Sequence, residues 1–124
     1  SHNEANFHNY HDESYATGTK GYHPDYDEGG DPFTSPFRSF AANGYGLFDL
    51  SGNVVELCWD WYLDSYYMES LVADPTGPPT GSSRIARGGS WGFDAWDSRV
   101  SSRILPWPNS KGLSYGFRLA RGSL

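Results

Sequence analysis

Between Val55 and Tyr62 apolar and polar residues alternate, with Val55, Leu57, Trp59 and Trp61 on one side and Glu56, Cys58, Asp60 and Tyr62 on the other. A period of two predicts a strand with one apolar face. Glu56 and Asp60 would be costly to bury alone, so the pattern calls for a cation or arginines beside them. From Leu63 the spacing turns helical: Leu63, Tyr66, Tyr67 and Leu71 predict one short helix over 63–72. The run Asp74-Pro75-Thr76-Gly77-Pro78-Pro79 ends it, because proline neither donates a backbone hydrogen bond nor fits a helix interior. Three later runs, 84–91, 99–103 and 116–121, suit strands of about five residues.

The first forty residues show neither period. Glycines and prolines punctuate them (Gly18, Gly21, Pro24, Gly29, Gly30, Pro32, Pro36). So long an irregular segment needs a bound cation or another chain segment to lie against. His8 and His11 stand at metal-ligand spacing but read more simply as solvated or hydrogen-bonded histidines of a polar loop. Asn43-Gly44 marks a turn. Between the last two strands, Leu105-Pro106-Trp107-Pro108-Asn109-Ser110-Lys111-Gly112 is a loop stiffened by prolines that displays a tryptophan. These elements amount to a loop-rich α+β domain with a small antiparallel sheet.

Composition narrows the class. A chain of 124 residues allows one domain at most. Its 15 glycines and 8 prolines, beside 5 Trp, 9 Tyr and 7 Phe, favour many short elements around an aromatic core over a helical bundle. No apolar stretch approaches the roughly 18 residues of a membrane span, so this segment is not expected to insert in a membrane. A net charge of -6 argues against nucleic-acid binding. The charge is uneven: residues 1–83 hold 13 acidic and 2 basic groups, residues 84–124 hold 2 and 7. The C-terminal arginines are therefore expected to pair with carboxylates from the earlier part. The single Cys58 excludes an internal disulfide and a cysteine-rich metal site.

Four blocks carry a resemblance: Asn43-Gly-Tyr-Gly-Leu-Phe-Asp-Leu-Ser-Gly-Asn-Val-Val-Glu56, Cys58-Trp-Asp-Trp-Tyr62, Arg87-Gly-Gly-Ser-Trp91 and Gly116-Phe-Arg-Leu-Ala120. In this order and spacing they resemble the C-terminal half of the formylglycine-generating-enzyme, or sulfatase-modifying-factor, family, which has a C-type-lectin-like fold. Asn6 and Pro36 extend the resemblance toward the start of the chain. It implies that residues 1–124 form the C-terminal part of one such domain. The N-terminal half would be lost or would remain bound as a separate chain.

In the catalytic members of that family, two cysteines after the Arg-Gly-Gly-Ser-aromatic block bind copper, as a soft Cu(I) ion requires. Counted from Trp91, those positions fall on Phe93 and Ser98. Neither offers a thiolate, so the resemblance implies a non-catalytic member without copper, and iron-binding histidines of the related sulfoxide synthases find no counterpart. Calcium binding is the property it leaves in place. One site would use the Asp49 side chain, the carbonyls of Gly52 and Val54, and the Glu56 carboxylate. A second would use Asn6, the Phe7 carbonyl, Asp31 and Phe33. Both sets supply the hard oxygens calcium takes; without calcium, the first reduces to an Asx turn and a Glu56–arginine pair.

Arg99, Arg103 and Arg118 read as structural partners of carboxylates such as Asp60 and Glu56. The remaining question is what the last third presents to solvent. Residues 92–97 and 104–115 are aromatic, small and polar and lie between fixed blocks, the composition of a recognition surface on a rigid scaffold. The resemblance extends to the variable proteins of diversity-generating retroelements, such as the Treponema variable protein, whose region between these blocks is mutagenised. It implies a display protein at the cell surface, or in a periplasmic or extracellular setting, that binds a protein or glycan. The candidate ligand contacts are Phe93, Asp94, Trp96, Asp97, Ser102, Ile104, Trp107, Asn109, Ser110, Leu113 and Tyr115. An ordinary family member, either an enzyme or a sensor or scaffold domain joined to a kinase, is the alternative.

Overall fold

The computed structural model describes residues 1, 3–9, 21–27, 32–69 and 73–119. Its centre is a three-stranded sheet of order β2-β1-β3, built from β1 (Val55–Trp61), β2 (Arg84–Arg87) and β3 (Tyr115–Gly116). β1 and β2 are antiparallel, with Glu56 opposite Arg87 and Leu57 opposite Ala86. β1 and β3 are parallel, with Val55 opposite Tyr115, so the sheet is mixed rather than wholly antiparallel. Of the helix expected over 63–72, the described residues show one turn, α1 (Tyr66–Glu69); residues 70–72 lie outside the described part.

Local chemistry shortens the other expected strands. β2 stops at Arg87 because Gly88 and Gly89 take φ of 93° and 69°, a left-handed step that leaves the ladder. Residues 99–103 are not a strand. Asp94 opens a series of turns there, accepting N–H bonds from Trp96 (2.9 Å) and Asp97 (3.2 Å) on its own carboxylate, and Ser102 N–H then bonds Arg99 O (2.9 Å). The chain becomes extended again only at Ile104, which bridges Ala86 on the outer edge of β2. Of the run 116–121, Gly116 is paired, 117–119 are not, and the rest lies outside the described residues.

The apolar face of β1 is the main departure from the pattern. Val55 is fully buried, but Leu57 is 38% and Trp59 85% exposed. The register slips between Leu57 and Trp61, a bulge that twists the strand and turns Trp59 outward. Arg84 partly covers the gap, its guanidinium 3.6 Å from the Trp61 ring centroid and 4.9 Å from that of Trp59.

Among the described residues the buried hydrophobic ones are Ala5, Phe7, Phe40, Val55, Ala86 and Trp91. Phe40 packs against His23 and Tyr26; the centre of the rest is where the N-terminal segment crosses the 49–56 turn and the 88–93 segment, which together are the second chain segment that the irregular start required. Asn6 bridges Gly52, Asn53 N–H donates to Asn6 O (2.7 Å), Gly52 N–H to Gly88 O (2.6 Å) and Trp91 N–H to Asn53 O (2.9 Å). Gly52 is required at the crossing: its φ is 75°, and a Cβ there would overlap the Asn6 carbonyl. An aromatic chain closes this core, Tyr22 lying 4.4 Å from Phe33 and Phe33 meeting Trp91 edge-on at 5.2 Å.

The topology places the last loop. Pro106 O accepts from Arg84 N–H (3.2 Å), so 104–106 runs along β2 toward the Trp61 end of β1. β3 begins again beside Val55 on the opposite edge. Residues 107–114 therefore carry the chain across three strand spacings, about 14 Å, and back along the sheet.

Candidate functional site

Two regions hold the residues singled out by the sequence. The first is the 49–56 turn. Asp49 and Asn53 take left-handed φ of 53° and 64°, which short polar side chains tolerate, and with Gly52 they fold the turn tightly. Asp49, Gly52, Val54 and Glu56 all line one open cleft of about 460 Å³. The structure thus gathers the four residues of the first candidate calcium set. Asp49 Oδ2 accepts from Arg38 N–H (2.8 Å), while Asp49 Oδ1 is buried and has no partner among the described residues.

Arg118 enters the same cleft. Its Nε lies 3.0 and 2.9 Å from the two Glu56 oxygens, and its Nη2 donates to Glu56 Oε1 (2.6 Å) and Asp49 O (3.1 Å). The hydrogen bonds that Arg118 donates to Glu56 raise the Arg118 pKa above its ordinary value, with burial working the other way. The expected pairing of a late arginine with an earlier carboxylate is realised here. The oxygen set suits a hard cation, with the orphaned Asp49 Oδ1 as its free donor, but a calcium ion would have to take Glu56 from Arg118. Sequence reasoning offered Arg118, beside Arg99 and Arg103, as a partner for Glu56 or Asp60; which arginine meets Glu56, across 62 positions, has no local signal.

The second calcium set is gathered in part. Asn6 is fully buried and its Nδ2 donates to Phe33 O (2.7 Å), while its Oδ1 has no partner among the described residues. Phe7 is buried beside it. Asp31 lies outside the described residues, as does His11. His8 meets Tyr22 edge-on at 4.3 Å, and burial pushes its pKa down against the nearby charge of Asp27.

The second region is the proposed recognition surface, and the structure divides its residues. Trp96 (52% exposed), Trp107 (71%) and Leu113 (61%) stand out into solvent, with Asn109 exposed between the latter two. Pro106 is buried and anchors the loop that lifts Trp107, whose carbonyl accepts from Ser110 N–H (2.9 Å). Phe93, Asp94, Asp97, Ser102, Ile104, Ser110 and Tyr115 are half-buried. Several of them do framework duty. Phe93 O accepts from His8 N–H (2.8 Å), Asp94 caps its turn, Ser102 O accepts from Arg87 (2.8 Å), and Ile104 and Tyr115 pair with Ala86 and Val55. Ser98, one of the two positions where a thiol would stand, packs against Gly89 with its Oγ 3.5 Å from Asp94 O.

The other arginines correct the carboxylate-pairing expectation. Arg99 lies 3.2 Å over the Trp96 ring, and Arg103 lies over Tyr67 (4.7 Å) and Tyr62 (5.3 Å). Asp60 has no arginine partner among the described residues. The guanidinium groups of Arg99 and Arg103 lie against aromatic faces instead. No helix among the described residues is long and apolar enough to cross a membrane.

Among the described residues, a small mixed sheet, one helical turn and long loops tied by backbone bonds define a C-type-lectin-like α+β scaffold. The chain belongs to the sulfatase-modifying factor enzyme 1-like domain family, whose model matches residues 3–123. It is 43% identical over 96 residues to the formylglycine-generating enzyme of Streptomyces coelicolor, covering 75% of this chain and 31% of that protein. Among solved structures it is similar to Treponema denticola variable protein 1, with 36% identity, a TM-score of 0.59, and coverage of 68% of this chain and 30% of that one. PvdO from Pseudomonas aeruginosa aligns with a TM-score of 0.68 and 27% identity, over 94% of this chain and 38% of that one. The chain thus spans about a third of the length of these relatives.

Proposed function

We propose that the chain is a non-catalytic display domain of the variable-protein type, binding a protein or glycan partner through its C-terminal loops. The observation that carries this reading is the loop 105–113. Buried Pro106 and the turn at Trp107–Ser110 hold Trp107 and Leu113 71% and 61% exposed on a scaffold otherwise tied by backbone bonds. Large aromatic side chains held out at little entropy cost are the usual anchors of binding. The likeness to Treponema denticola variable protein 1 supports the same class. Such a role puts the protein at the cell surface, in the periplasm or outside the cell.

Catalysis of the formylglycine-generating type would need two thiolates where Phe93 and Ser98 stand, and neither side chain can bind a soft metal. A calcium ion, where bound, is structural and held by Asp49, Gly52, Val54 and Glu56. The uncovered Leu57 and Trp59 suit contact with the remaining part of the domain, as the same polypeptide or a separate chain. Nucleic acid is not a partner in this reading.

The test is a binding screen on arrayed glycans and proteins, run with the wild-type chain and with Trp96, Trp107, Asn109 and Leu113 changed together to serine. Every specific ligand of the wild type is expected to be lost in the variant. Ligands retained in full would overturn the reading, as would copper-dependent oxidation of a cysteine-containing peptide by the purified chain.

A further inference from the structure

On the face of the sheet opposite Val55 and Ala86, α1 and the proline-rich turn that follows it roof a half-closed cavity of about 160 Å³. It has room for about five waters at liquid density. Leu63, Ile85 and Pro78 give it an apolar lining, and Asp60, Arg87 and Arg103 bring charge to it. The two arginines differ in what they have left to offer. Arg87 Nη1 is committed to the carbonyls of Val100 (3.2 Å) and Ser102 (2.8 Å). The Arg103 guanidinium lies 4.7 Å from the Tyr67 ring centroid and 5.3 Å from that of Tyr62 and, among the described residues, donates to no acceptor and pairs with no carboxylate. A guanidinium held against aromatic rings spends none of its N–H groups on them in conventional hydrogen bonds and keeps the fork that matches a carboxylate.

We propose that this cavity binds a small amphipathic monocarboxylate, its apolar body against Leu63, Ile85 and Pro78 and its carboxylate on Arg103. The enclosed volume limits the body to about the size of one ring. Asp60 in the lining selects against anions of higher charge, since a second negative charge would meet its own kind at short range. The cavity shares none of the exposed side chains Trp96, Trp107, Asn109 and Leu113 of the display surface, so neither proposal depends on the other.

Cys58 supplies the readout. It lines the cavity, it is half-buried, and burial pushes its thiol pKa up, with the Asp60 charge adding to the rise. As the only cysteine of the chain, it can be followed by alkylation with neutral iodoacetamide. Sodium benzoate is expected to slow that alkylation with half-effect around 1 mM, the affinity a ligand of about nine heavy atoms reaches. Benzyl alcohol, the same ring without charge, is expected to protect at least tenfold more weakly, and inorganic phosphate not at all. Arg103→Gln should abolish protection by benzoate. Arg103→Lys, which keeps the charge without the fork, should weaken it several-fold and decides the matter if the glutamine variant alkylates faster than wild type without ligand. Equal protection by benzyl alcohol, full protection in Arg103→Lys, or none by benzoate at about 20 mM would overturn the proposal.

Discussion

Replacing Gly52 by alanine tests the crossing on which the scaffold depends. Gly52 holds φ at 75°, where a residue with a Cβ pays about 1–2 kcal/mol. The new methyl would overlap the Asn6 carbonyl, so the N-terminal segment must move away from the turn. That movement breaks the 2.7 Å bond from Asn53 N–H to Asn6 O and strands buried groups at about 1–3 kcal/mol. The expected loss is about 2–5 kcal/mol, a large share of the stability of a typical domain. Urea unfolding followed by tryptophan fluorescence measures it as a fall in midpoint at unchanged slope. Two controls separate the terms. Gly46→Ala has the same sign of φ, 76°, with nothing within 4 Å, and should cost only the backbone strain. Gly92→Ala has open space and no left-handed φ, and should be neutral within about 0.5 kcal/mol. A Gly52→Ala loss no larger than that of Gly46→Ala would refute the collision argument.

Three further outcomes follow from the site. Arg118→Ala should destabilise the chain by about 1–2 kcal/mol, between the worth of an exposed pair and that of a charged hydrogen bond, as read by the urea midpoint. The same change should strengthen calcium binding, seen as a larger rise in melting temperature on adding calcium than in wild type, because the competitor for Glu56 is gone; an identical response in both proteins would contradict a site at Glu56. His8 titrates below its ordinary value, so the unfolded chain binds a proton that the folded one resists. Its stabilising contribution is present above about pH 6.5 and is lost as pH falls below that value, and the urea midpoints of wild type and His8→Asn at pH 7.5 and 5.5 should show a steeper fall in wild type.

The parts legible in the sequence are those set by near neighbours along the chain. The alternation of Val55–Trp61 did mark a strand; the set Asp49, Gly52, Val54 and Glu56, named only by the family resemblance, lines one cleft. What escaped was set by distant partners. Tyr115 pairs in parallel with Val55 across 60 positions, which no local pattern announces, so a residue assigned to a display loop turned out to be a strand residue. The bulge after Leu57 turned an apparently inward Trp59 to solvent. The Asx turn at Asp94 overrode the strand propensity of 99–103. Charge counting foresaw that a late arginine would seek a carboxylate but could not tell Arg118, which found Glu56, from Arg99 and Arg103, which found rings.

The central claim, a fixed framework holding out exchangeable side chains, is open to one direct measurement. A library randomised at Trp96, Trp107, Asn109 and Leu113 can be displayed on yeast and scored for protease resistance against one randomised at Asn6, Gly52, Val55 and Ala86. Most members of the first library should resist protease as the wild type does, since exposed substitutions usually cost within about 0.5 kcal/mol, and most of the second should not. Equal collapse of the two libraries would mean that the loops are part of the core and that the display account is wrong.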